Sequence, residues 1–213
     1  MRKYIFSILI ALLTLPVFAQ QQAQAKLVLD RTADAFEKAG GVKADFSVKA
    51  SKKGQLRGTV TGAIELKGEK FFLKTGESVS WFDGTTQWSY LPKSDEVTVT
   101  TPTEAELQTI NPYSFLYVYT KGFSYKLGSI GDFRGKPINQ VILTATDKKQ
   151  DLSHIILYVT KDTYQPLYIL VEMRDKSRNE ITITSYQTGL KWGDSVFVFD
   201  RKQYPNAEII DLR

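Results

Sequence analysis

His154 is the single histidine of this 213-residue chain, and the chain has no cysteine. One imidazole offers a general acid or base but no partner for a two-histidine metal site. The missing thiols exclude a disulfide framework, a thiolate nucleophile, cysteine-ligated zinc or iron–sulfur, and a lipid carried on an N-terminal cysteine. A serine hydrolase using His154 would want a nucleophile elbow, yet no Gly-x-Ser-x-Gly occurs, and Ser153 is only its neighbour in a strand-like run. Phosphate-cradling glycine loops, His-Glu-x-x-His and calcium-loop patterns are absent too. Asp147 and Asp151 flank Lys148-Lys149, the composition of a solvated hairpin tip. The expectation is a protein that is no enzyme and uses no metal or cofactor, with a hydrolase acting through His154 as a rival from another class.

The composition turns attention to apolar surface. With 42% hydrophobic, 24% charged and 12% aromatic residues the chain is globular rather than disordered or fibrous. Arg2 and Lys3 precede an apolar run from Tyr4 to Phe18, and Val17-Phe18-Ala19 suits signal peptidase. That run, at about 15 residues, is shorter than the roughly 20 that span a bilayer. Residues 1–19 are therefore expected to be a secretory signal peptide cleaved after Ala19, leaving 20–213 as an exported, soluble single domain. Losing Arg2 and Lys3, with no acid in 1–19, lowers the formal charge from +5 to +3. Single lysines spread along an exported chain argue against nucleic acid as a partner.

The elements that position any site follow from periodicity. Ala25, Val28, Leu29, Thr32, Ala33 and Phe36 make one stripe on a helix over 25–39 that stops at Gly40-Gly41, with Lys26, Asp30, Asp34 and Lys38 facing water. Gln20–Gln24 are expected to be a disordered lead-in. From Val42 the period becomes two, as in antiparallel strands. Val60, Gly62, Ile64 and Leu66 share one face, and Trp81, Trp88, Tyr90, Val97 and Val99 continue the alternation through turns at Gly68-Glu69, Gly76-Glu77, Asp83-Gly84 and Pro92-Lys93. Thr103 and Glu106 form a capping box and Asn111-Pro112 a helix start, predicting short helices over 104–110 and 112–120. Strand patterns resume from Phe123 and end with Val196–Phe199. The predicted class is mainly β with a few helices, α+β: a curved antiparallel sheet forming a half-open barrel, with helices across its mouth. The aromatic residues either fill its core or line a concave apolar cavity, and the pattern alone leaves both open.

Asp83, Gly84, Trp88 and Tyr90, in the hairpin Val79–Pro92, resemble the hallmark hairpin of the LolA-type periplasmic lipoprotein carriers, with Gln87 where the family usually has leucine. Gly62-x-Ile64, Asn111-Pro112, Phe197-x-Phe199, Pro205, Ile209, Ile210 and Asp211 extend the resemblance over most of 25–211. It implies a barrel closed by a helical lid, with acyl chains of lipoproteins bound inside and carried from the inner to the outer membrane; the alternative it leaves is a related module for another envelope lipid or apolar small molecule. Implied partners are acylated lipoproteins or another lipid, an inner-membrane lipoprotein-releasing transporter and an outer-membrane receptor, with the carrier a monomer. The implied acyl cavity and lid comprise Val60, Ile64, Leu66, Trp81, Trp88, Tyr90, Tyr113, Leu116 and Tyr117. The family's arginine, which bonds lid backbone, is absent; Lys67 stands in the matching stretch and is the implied latch.

Overall fold

A computed structural model describes residues 2–103, 106–107, 119 and 122–213, with side chains from residue 20 onward apart from Ile130. Helix α1 spans Arg2–Lys38. Its predicted stripe is the buried one: Ala25, Val28, Leu29, Thr32 and Phe36 are all buried. On the other side Lys26 pairs with Asp30 and Lys38 with Asp34, one turn apart. The helix ends where Gly40 takes φ of 71°, a left-handed value that suits glycine. Residues 20–24, expected to be disordered, instead continue α1, because glutamine and alanine are good helix formers and nothing there breaks the ladder.

Two meanders follow. The first comprises β1 (Gly41–Lys52), β2 (Gln55–Lys67), β3 (Lys70–Thr75), β4 (Val79–Phe82), β5 (Gln87–Leu91) and β6 (Glu96–Thr100); the second comprises β7 (Phe123–Phe133), β8 (Lys136–Ala145), β9 (Leu152–Thr160), β10 (Pro166–Met173) and β11 (Ser177–Gln187). Antiparallel pairing of β1 with β11 fuses them, and β12 (Glu208–Asp211) adds to β6 in parallel. The result is one 12-stranded sheet in the order β12-β6-β5-β4-β3-β2-β1-β11-β10-β9-β8-β7, the open, curved sheet predicted for a half-open barrel. The turns are those legible in the sequence. Asp83, for example, accepts hydrogen bonds from the Thr85 and Thr86 amides at 2.9 and 2.8 Å while Gly84 takes φ of 104°.

Curvature comes from bulges in the β1–β11 pairing at Asp45/Phe46 and the β7–β8 pairing between Leu127 and Ile130. Gly62 lets the sheet bend tightly, since a Cβ there would lie 2.7 Å from the Phe46 ring and 2.6 Å from the Lys74 carbonyl.

Two expectations change. Val196–Phe199, predicted as a strand, is a 3-10 turn over Asp194–Phe197 followed by irregular chain. The segment crosses the sheet instead of joining it, so its apolar residues are spent on face contacts, with Phe197 fully buried. Of the helices predicted over 104–110 and 112–120, Glu106 and Leu107 are helical and the capping box is made, with the Thr103 amide donating to the Glu106 carboxylate at 2.7 Å. Of the rest, Tyr119 is a turn residue, and the other positions lie outside the described residues.

Candidate functional site

Alternation gives the sheet two different apolar faces. The inner one carries Val42, Ala44, Phe46, Ile64, Leu66, Phe71 and Phe82 from the first meander and Val141, Leu143, Ile155, Leu157, Val159, Ile169, Ile181 and Ile183 from the second, all in one cluster with the α1 stripe. Tyr119 is buried in this same cluster, and Leu107 packs against it. Each fully buried large side chain here is worth about 1.5–3 kcal/mol relative to exposure. The only polar interruption among the described residues of β4 and β5 on this face is Ser80, Gln87 and Ser89, joined by Gln87 Nε2 donating to Ser89 Oγ at 3.0 Å.

The outer face of β4–β6 carries a second cluster. Val97, Val99 and Ala207 are its buried members, with Trp88, Tyr90, Phe199 and Tyr204 packed on them. Trp81 lies 5.5 Å from Phe199 and 5.6 Å from Tyr204, both edge-on, and Tyr90 lies 4.6 Å from Tyr204. The structure therefore does not bring the predicted lining residues together. Val60, Ile64 and Leu66 belong to the inner face, whereas Trp81, Trp88 and Tyr90 point the other way, under the C-terminal strap of residues 190–207. The period-two pattern did put Trp88 and Tyr90 on one face; which face met which cover depended on where residues 190–207 fold back. Tyr113, Leu116 and Tyr117 lie outside the described residues.

Lys67, the predicted latch, holds this strap. Its ammonium donates to the Trp192 carbonyl at 3.1 Å and to Asp194 at 3.0 Å, and Lys70 reaches the same carboxylate at 3.3 Å. The two lysines hold the Asp194 carboxyl below its ordinary pKa. Gly41 completes the seat, because a Cβ there would stand 2.2 Å from the Leu190 carbonyl and 2.5 Å from the Trp192 ring.

Tyr119 instead engages α1. Its hydroxyl donates to Asp30 Oδ1 at 2.6 Å, and Lys26 donates to the same carboxylate at 2.8 and 2.7 Å. Desolvation pushes Asp30 upward, but the hydrogen bonds from Lys26 and Tyr119 outweigh it and hold the carboxyl below its usual range. Burial, then the bond to Asp30, pushes the Tyr119 phenol well above its ordinary value. Sequence reasoning put Asp30 on the water-facing side of the helix and missed this bond; a hydroxyl 89 residues away leaves no local pattern.

His154 faces Glu172, with Nε2 3.9 Å from Oε2. Glu172 is buried on β10 and is already bonded by Arg178 and by Lys176 at 3.3 Å. Burial raises its pKa, but these two donors outweigh that and leave it lowered. The cluster reads as a compensated structural carboxylate. Among the described residues no group of three His, Asp or Glu could hold a metal. Recesses there include one of about 190 Å³ where α1 ends beside Tyr164 and Tyr186, and an open one of about 410 Å³ between Asp45, Gly62 and Lys74.

The profile of the family described as "Outer membrane lipoprotein carrier protein LolA" matches residues 15–177. Among solved structures, an uncharacterized conserved protein from Thermus thermophilus is similar with a TM-score of 0.61 and 9% identity, over 88% of this chain and 99% of that one. A DUF1329 family protein from Desulfovibrio piger is similar with a TM-score of 0.51 and 12% identity, over 84% and 97%. A LolA superfamily protein from Nitrosomonas europaea aligns with a TM-score of 0.45 and 9% identity, over 83% and 98%. No curated protein sequence matches significantly. At these identities the likeness concerns the fold alone.

Proposed function

This chain belongs to the LolA-type outer membrane lipoprotein carrier family, and from that premise we propose that it is a periplasmic carrier sheltering the acyl chains of lipoproteins between two membranes. The observation that carries the reading is the inner face: one apolar wall running from Ile64 and Leu66 to Ile169, covered by α1, Leu107 and Tyr119 rather than by more sheet. Burial of an acyl chain is worth about 0.8 kcal/mol per methylene, more than a carrier can retain if it must release its cargo. A cover that fills the site when cargo is absent offsets that excess.

On this reading 1–19 is removed, 20–213 acts as one monomeric domain, Val60, Ile64 and Leu66 contact acyl chains, and Tyr113, Leu116 and Tyr117 belong to the movable cover. Trp81, Trp88 and Tyr90 anchor the strap from outside. Cargo comes from an inner-membrane transporter and leaves to an outer-membrane receptor, with no enzymatic step.

Two observations favour a second reading, a carrier of another envelope lipid. Lys67 binds the strap where family members use arginine on the lid, and Ser80, Gln87 and Ser89 put a polar spot on an otherwise apolar face. Native mass spectrometry of protein purified from its own periplasm separates the two: bound lipopeptide supports the first and bound lipid of another class the second. Unchanged fractionation of outer-membrane lipoproteins after depletion would defeat the first.

A further inference from the structure

Three hairpin tips meet at one end of the sheet: Lys53-Gly54 between β1 and β2, residues 146–151 between β8 and β9, and 174–176 between β10 and β11. They are stitched into one rim. The Lys53 amide donates to the Lys176 carbonyl at 3.0 Å, Lys52 bonds Asp175 at 2.6 Å, and the Arg174 amide donates to the Asp151 carbonyl at 2.8 Å. The Arg174 guanidinium donates to the Gln150 and Asp147 carbonyls at 2.7 and 2.9 Å.

Residues 52–57, 146–151 and 174–176 hold seven basic side chains (Lys52, Lys53, Arg57, Lys148, Lys149, Arg174, Lys176) against three acidic ones (Asp147, Asp151, Asp175). Among the described residues Lys53, Arg57, Lys148 and Lys149 are exposed and form no ion pair. Lys53 and Lys176 occupy left-handed backbone, φ of 52° and 68°, at the tight turns of two of these tips.

The rim also has an apolar point. β3 joins β2 only from Gly62 onward, so the outer edge of β2 near its tip is left unpaired while β1 stays bonded to β11, and Leu56 there is 65% exposed. An exposed leucine among unpaired cations suits the boundary between phosphate headgroups and acyl chains.

We propose that this rim docks the protein on an anionic phospholipid bilayer, with Lys53, Arg57, Lys148 and Lys149 at the headgroups and Leu56 inserted between them. The proposal does not depend on the cargo, since an empty barrel would dock equally well.

The test is flotation of the purified protein with phosphatidylglycerol-containing vesicles and with pure phosphatidylcholine vesicles. Binding is expected to the anionic vesicles alone, and to be lost at 0.5 M salt, where the screening length is about 4 Å. Neutralising Lys53, Lys148 and Lys149 together to Gln is expected to weaken it roughly 100-fold, about fivefold per lysine. Leu56→Ser is expected to weaken it further. Fatty-acid uptake and melting temperature serve as controls and are expected to stay unchanged in these surface variants. Failure of the wild-type protein to bind anionic vesicles, or equal binding by the triple variant, would overturn the proposal; the first result would point to an acidic protein as the partner.

Discussion

Tyr119 and Asp30 are joined by a 2.6 Å hydrogen bond that ties Tyr119 to helix α1. The acceptor is a carboxylate already paired with Lys26, so the bond is charge-assisted and stronger than one between neutral groups.

Tyr119→Phe keeps the ring in the inner cluster and removes only the hydroxyl. It is expected to cost about 1.5–3 kcal/mol in denaturant unfolding and to raise the rate of uptake of a fluorescent fatty acid. A stability loss with slower uptake would mean that the bond shapes the site rather than closing it.

The fold was legible where periodicity and turn chemistry are local. The α1 stripe, the stop at Gly40, the two-residue turns and the alternation of Trp88 with Tyr90 needed only neighbours in sequence. What the pattern could not supply was the partner of each face. Trp81 and Leu66 follow the same alternation, yet one meets Phe199 and the other lies in the cluster with α1, because residues 190–207 return across β4–β6. The stretch around Lys67 resembles the family's lid-bonding position, but the partners that the structure gives Lys67 are in the strap, and Asp194 lies 127 residues further on, where no local pattern points to it.

Trp81→Ala removes a nearly buried ring from under the strap. The expected loss is about 3–5 kcal/mol with uptake per folded molecule unchanged. Val60→Asn, on the half-buried part of the inner face, is expected to do the reverse, lowering uptake with a small change in melting temperature. Equal effects of the two variants on uptake would show that both faces contact lipid.

Gly41→Ala pushes a methyl group into the Leu190 carbonyl and the Trp192 ring. A cost of about 1–3 kcal/mol is expected from this overpacking, together with a change in Trp192 fluorescence as the strap lifts. A neutral outcome would mean that the strap moves aside freely.

Asp30 and Glu172 both have folded pKa values below their ordinary ones. Unfolded chains therefore bind their protons first as the pH drops, so the stability from these groups is complete above about pH 4–5 and declines as the pH falls through their folded values. A plateau from about pH 5 to 8 with an acid limb below it is expected in urea titrations. Glu172→Gln should lower the plateau and flatten that limb, and an unchanged limb would assign acid sensitivity elsewhere.

The most direct measurement of the central claim is photolabelling with a fatty acid that carries a diazirine at its methyl end, followed by mapping of the labelled peptides. An inner apolar face that takes the chain predicts label on β2 and β3, around Ile64, Leu66 and Phe71. Label confined to Trp88, Tyr90 and the strap, or no label at saturating fatty acid, would contradict it.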